Sequence, residues 1–242
     1  MPYLTSSQTE WLKWLALITM VIDHVGIVFQ QIDPIFLVFR GIGRFSYLAF
    51  GFIIALNLSR DNVNLSAYLQ WMFITALLSE FCFKAFQPNY DRLNVLFQFF
   101  AVVGVIWVYQ HRYTFHYLLQ GMLYAIFLFI SYHADYSLCG LLYCVTCYFF
   151  FQLKPGRYKS LTMIGCVLMG FFVNHRMLED LWGTVLWSFI VLSITFTLFY
   201  LFYPQGIRRS AIKIRRMKKI VFYAFYPLHL LIIMTIKHFF IG

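Results

Sequence analysis

The sequence predicts an all-α membrane protein, a polytopic transmembrane helix bundle of about nine spans. Three observations predict it. The chain is 62% hydrophobic and only 12% charged, where a soluble domain carries about 25% charged residues. Its mean hydropathy is +0.73. Apolar runs recur along the whole length with short polar connectors between them, and a helix needs about 20 mostly apolar residues to cross a bilayer. No stretch is polar and long enough for a soluble domain, so residues 1–242 read as one transmembrane domain.

The first span covers 11–30, with Trp11 and Trp14 at one interface and Asp23-His24 past its middle. Two adjacent ionisable residues in a membrane helix are costly and face a protein interior or a wet cavity. The second span, 35–58, contains Arg40-Gly-Ile-Gly-Arg44, and the third, 66–86, carries Glu80. The fourth is 94–110, opening at Asn94. The fifth is 117–132, followed by the polar His133-Ala-Asp135-Tyr-Ser, and the sixth is 138–153. The seventh, 161–173, is short, which implies little tilt or partial burial. The eighth is 181–202 and the ninth 220–240. No internal repeat is present.

The net charge of +10 reflects Lys and Arg gathered at span ends, the positive-inside pattern, so no nucleic-acid partner is expected. Nine spans put the termini on opposite sides. Connectors on the N-terminal side then hold twelve Lys and Arg against four on the other. That places the N-terminus in the cytoplasm and the C-terminus outside, as in a multi-pass protein of a bacterial inner membrane. The first span carries Asp23-His24 and lacks a small-residue cleavage site, so it is expected to remain in the membrane. Of five cysteines, Cys144 and Cys147 have CxxC spacing but lie in an apolar helical run, and small packing residues are expected there. Asn57-Leu-Ser59 and Asn64-Leu-Ser66 fit a glycosylation pattern but fall on the cytoplasmic side.

Depth follows from this orientation and the helical rise. Asp23 lies about 18 Å from the inner end of its span, Glu80 about 21 Å, and His229 about 14 Å. Arg40 and Arg44 lie about 9 and 15 Å below the outer surface. Asn94 and Asp135 sit at the outer mouth. Two His, two Arg, two acids and an Asn in one outer slab exceed what packing requires and define a candidate functional site. The competing reading is a set of buried ion pairs and interhelical hydrogen bonds. Arg40 and Arg44 share a helix face and suit an anionic carboxylate or phosphate, and Gly41 and Gly43 permit close backbone approach or a break in the helix. Residues 204–219 hold seven Lys and Arg, with Ile207, Ala211, Ile214 and Met217 at helical spacing. They predict an amphipathic inner-surface helix that anchors to anionic lipids or meets the phosphates of a nucleotide-bearing donor.

Several motifs occur in order over nearly the whole chain: Lys13 with Met20-Val-Ile-Asp-His24; Gly43-Arg44 followed by FSYLAFGF and Asn57-Leu-Ser-Arg60; Leu93-Asn94-Val-Leu-Phe97; Asp135-Tyr-Ser-Leu-Cys-Gly140; and Phe222-Tyr-Ala-Phe-Tyr-Pro-Leu-His229. With these the chain resembles the conjugal-transfer pilin-acetylase (TraX) family and, more distantly, other integral-membrane acyltransferases. It departs from the family pattern at Leu48, where proline is frequent, and at Ser137, where glycine is frequent. The resemblance implies a membrane-embedded acetyltransferase. Its donor would be acetyl-CoA, and its acceptor an amine such as the N-terminus of an exported, pilin-like protein. No metal is expected.

On that reading His24 is the expected base, Asp23 its local partner, and His229 a competing base or second proton carrier. Arg44, with Arg40, is expected to hold a phosphate or stabilise an oxyanion, and Asn94 to donate to the same oxygen. Glu80 and Asp135 complete the expected substrate-binding set. The rivals are a proton-coupled transporter and a non-catalytic assembly protein of a conjugation or secretion apparatus.

Overall fold

The computed structural model describes residues 5–30, 32–174, 195, 197 and 214–241. Helix α1, Ser6–Phe29, is followed by a single 3-10 turn, Pro34–Phe36. Then come α2 (Leu37–Leu58), α3 (Leu65–Phe86), α4 (Val95–Gln110), α5 (Tyr117–His133), α6 (Ser137–Gln152), α7 (Arg157–Phe172) and α8 (Lys219–Ile241). No strand forms among the described residues; Leu93 and Ala134 make one isolated bridge.

The fold is therefore a helical membrane protein. Four helices are long and apolar enough to cross a bilayer: α1, α2, α3 and the Ile220–Phe239 part of α8. The expected count of about nine full spans is not met among the described residues. Helices α4 to α7 are 16 or 17 residues long, about 24–26 Å of helix against a ~30 Å hydrocarbon core. The span expected over 181–202 lies outside the described residues, except for Thr195 and Thr197, which are helical. Lipid-facing character is plain on α5, where Leu118, Met122, Ile126 and Phe129 are all exposed. Apolar surface on that scale marks a membrane contact.

The ends of the helices follow local chemistry. Helix α1 starts five residues before the expected Trp11, because Thr5 and Gln8 form a capping box: Gln8 N donates to Thr5 Oγ1 at 3.2 Å and Thr5 N to Gln8 Oε1 at 2.8 Å. Asn64 caps α3 through Ala67 N, and Asn94 caps α4 through Leu96 N.

Helix α2 is central. Residues 46–56 are all buried, as a helix apolar on every side demands. Helices α1, α4 and α6 pack against it, α7 packs on α6, and α8 packs on α3 and α1. Tyr143 of α6 donates its hydroxyl to the Leu48 carbonyl of α2 at 2.9 Å. Helix α2 runs unbroken through Gly41 and Gly43, and close approach is the use of Gly43. A Cβ on Gly43 would collide with the Asp23 side chain of α1.

The expected amphipathic helix over 204–219 is corrected in part. Residues 214–218 are not helical and α8 begins at Lys219. There Met217 N donates to Glu10 Oε2 at 3.0 Å, a long-range bond that ties the segment to α1. Residues 204–213 lie outside the described residues.

Candidate functional site

Helices α1, α2, α3, α4 and α8, with the connectors at one end of the bundle, line a cavity of about 1020 Å³. Asp23, His24, Arg40, Arg44 and Asp135 all line it. One turn separates Arg40 from Arg44, and both reach the same carboxylate. Arg40 Nη1 lies 2.6 Å from Asp23 Oδ2, and Arg44 Nη2 lies 2.9 Å from Asp23 Oδ1. The glycine at position 43 lets α1 come near enough for this. Arg44 Nε also donates to the Arg40 carbonyl at 3.2 Å. A guanidinium has five N–H donors, so both arginines keep donors beyond those that Asp23 accepts, and the Asp135 carboxylate acts on the same two cations through space.

His24 projects from the same turn of α1 as Asp23 but does not bond to it, as the ~100° step between neighbouring helical residues implies. Its Nδ1 lies 2.8 Å from the Met20 carbonyl. His229 of α8 repeats the arrangement, Nδ1 to the Phe225 carbonyl at 2.9 Å. His229 Nε2 then lies 3.3 Å from His24 Nδ1. A carbonyl only accepts, so each Nδ1 carries the proton. His24 Nδ1–H is shared between Met20 O and the lone pair of His229 Nε2. His24 Nε2 is left as an unprotonated nitrogen with no hydrogen bond to the described residues. Phe86 and Tyr226 pack edge-on against the His24 ring, and Phe225 stacks on His229.

Asp135 is held by the hydroxyl of Tyr90, which donates to Oδ1 at 2.5 Å. The surrounding turn is braced. Leu93 N donates to His133 O at 2.9 Å, and Arg92 Nη1 donates to the carbonyls of Tyr132 and Ala134 at 3.3 and 3.2 Å. Lys84 Nζ donates to the carbonyls of Tyr90 and Arg92.

Two expected site residues sit apart. Glu80 Oε2 accepts from Asn94 N at 3.0 Å and from Asn94 Nδ2 at 2.7 Å, and Asn94 Nδ2 also donates to Ala76 O. With its Oδ1 accepting from Leu96 N, Asn94 is fully buried and spent on capping α4 and joining it to α3. Neither residue is among those lining the cavity. Common depth did bring Asp23, His24, Arg40, Arg44 and His229 together, but it carries no information about lateral position.

Tyr47 and Tyr136 were not expected at the site, yet both line the cavity. Their rings stack with centroids 3.6 Å apart, and burial pushes the Tyr136 phenol above its ordinary pKa, keeping it a neutral donor. The available signal was the tyrosine directly after Asp135. Cys144 and Cys147 are free and fully buried, packing between helices. Among the described residues no three His, Cys, Asp or Glu side chains converge as a metal centre requires.

Fold and site together define an integral-membrane protein with a basic and histidine-bearing cavity between its helices. The family model described as TraX protein matches residues 8–237, and the chain belongs to that conjugation-related family. Neither a curated protein nor a solved structure matches it significantly.

Proposed function

We propose that this protein is an acyltransferase that moves acetyl from acetyl-CoA to an amine presented by an exported, pilin-like acceptor. The observation that carries the proposal is His24. Its Nδ1 is pinned to Met20 O and His229 Nε2, so its basic Nε2 is left in a cavity shared with two guanidinium groups. The amine nitrogen attacks the thioester carbonyl, a C–N bond forms, and the C–S bond breaks. The proton lost by the amine passes to His24 Nε2 and from there to the departing thiolate, giving the amide and free CoA. Arg40 and Arg44 stabilise the negative charge that builds on the carbonyl oxygen. Asp23 fixes both guanidiniums and keeps them from repelling each other. His229 accepts the Nδ1–H bond that strengthens when His24 becomes cationic.

On this reading the chain crosses a bacterial inner membrane nine times, with α4 to α7 as short crossings and the N-terminus cytoplasmic. The donor then arrives from the cytoplasm and the acceptor from outside. The test uses purified protein in detergent with labelled acetyl-CoA and a short peptide bearing a free N-terminus. Label transfer with matching CoA release is expected. Absence of CoA release above background with any amine or hydroxyl acceptor overturns the proposal, and solute movement without turnover identifies a transporter.

A further inference from the structure

The cavity is asymmetric along its length. At one end lie Gln30, Pro88, Tyr90, Asp135 and Lys237. The other end is apolar, with Leu17, Met20, Ile54, Met72, Phe222 and Tyr223 forming its walls. Just beyond that apolar end lie the start of α1 and the segment leading into α8. Arg215, Arg216 and Lys218 are exposed there, and Lys13 pairs with the buried Glu10 at 2.8 Å.

This segment is held in place. Glu10 is 2% exposed and takes the Met217 N–H on one oxygen and Lys13 on the other. The Lys218 carbonyl accepts from Val221 N and Phe222 N, tying the cations to the first turn of α8. Anchoring to lipid needs no such fixation of a basic segment, whereas recognition of a particular anion gains from it.

We infer that Arg215, Arg216 and Lys218 form the phosphate-binding site for the acyl donor, with the apolar half of the cavity taking its uncharged thioester-bearing arm. The inference rests on the acyltransferase reading and names its donor site. Spacing supports it. From Lys218 to His229 along α8 is about 16 Å, and from Lys13 to His24 along α1 is again about 16 Å. An extended pantetheine arm is of that order. Phosphates do not pass the apolar walls without a large desolvation cost, so they stop at the cations while the thioester reaches His24. Phe222 and Tyr223 at the same end offer rings on which a purine can stack.

Phosphate is shared by CoA and by anionic lipid headgroups, and the test separates them. Equilibrium binding is measured on the purified full-length protein, wild type and R215Q/R216Q/K218Q, with CoA, acetyl-CoA and S-acetylpantetheine. Vesicle binding is measured with and without phosphatidylglycerol. Wild type should bind S-acetylpantetheine about a hundredfold more weakly than acetyl-CoA, and the triple variant should bind CoA at least about tenfold more weakly than wild type. The charge-preserving R215K/R216K/K218R should retain CoA affinity. Equal affinity of wild type for S-acetylpantetheine and acetyl-CoA overturns the site without relying on any variant. So does a triple variant that keeps CoA affinity and loses only phosphatidylglycerol-dependent vesicle binding. Wild type that turns over acetyl-CoA while the triple variant binds CoA unchanged sinks this site alone. Wild type that neither binds nor releases CoA sinks the acyltransferase reading with it.

Discussion

His24 and His229, 205 residues apart in the chain, face each other with His229 Nε2 3.3 Å from His24 Nδ1. The two rings are not equivalent. Each gives its Nδ1–H to the carbonyl four residues before it, so the shared bond leaves a free basic nitrogen on His24 and consumes the one on His229. A general base contributes roughly 10²–10⁴-fold. His24→Ala should therefore lower kcat for acetyl transfer by that factor with the KM for acetyl-CoA little changed. His229→Ala should lower kcat only about tenfold, the loss of one supporting hydrogen bond of about 1 kcal/mol or slightly more. Label transfer to a peptide, measured for both variants side by side, checks the order; equal losses would make the pair a single catalytic unit.

Asp23 is the common acceptor of two guanidiniums, at 2.6 and 2.9 Å. Removing one partner of a buried ion pair costs about 3–5 kcal/mol because it strands the other charge. Here two charges would be stranded one helical turn apart. Asp23→Asn should destabilise the protein by about that amount, read as a lowered thermal midpoint in detergent. The double variant Asp23→Asn/Arg40→Gln should be less destabilised than the sum of the single changes, because it removes one of the stranded cations.

Much of this was legible from residue pattern alone. Helices α2 to α6 begin and end within two residues of the expected bounds, because the polar connectors and the capping asparagines are local signals. A buried ion pair at Asp23 was legible only as the competing reading; Arg40 and Arg44 were expected to hold a substrate carboxylate or phosphate, and Asp23 engages both. Asn94 shows the limit. Its depth matched the site, but its position at the start of α4 spends its side chain on capping and on Glu80 and leaves none of it to the cavity. The bound state of residues 214–218 was hidden for a related reason: helical spacing of Ile214 and Met217 says nothing of Glu10, which captures the Met217 N–H from more than 200 positions away.

Gly43 is the contact that makes the ion pairs possible. An added Cβ would strike Cβ, Cγ and Oδ1 of Asp23, and these atoms have no freedom to withdraw without breaking the bonds to Arg40 and Arg44. Overpacking of this kind costs about 1–3 kcal/mol. Gly43→Ala should lower the thermal midpoint and should also lower kcat, since moving Asp23 moves both guanidiniums. Helix propensity alone predicts the opposite sign, a gain approaching 1 kcal/mol, so a thermal melt of this one variant separates close packing from propensity.

Ser137 has φ +52°, a left-handed conformation, at the first position of α6 and directly after Tyr136. For a residue with a Cβ this costs about 1–2 kcal/mol. A buried chain of bonds holds it: Gln98 Nε2 donates to Ser131 Oγ at 2.9 Å, and Ser131 Oγ donates to the Ser137 carbonyl at 3.1 Å. The turn so fixed presents Tyr136 to Tyr47 and Asp135 to Tyr90. Glycine at this position relieves the strain. Ser137→Gly should raise stability by up to about 1 kcal/mol with turnover unchanged, because the serine hydroxyl makes only a long 3.4 Å bond to the Tyr132 carbonyl. Ser137→Val adds a β-branched side chain where φ is positive and should destabilise by more than the glycine gains. Thermal melts of the two variants, with acetyl transfer assayed alongside, test whether this turn is strained in the way its dihedral angle requires.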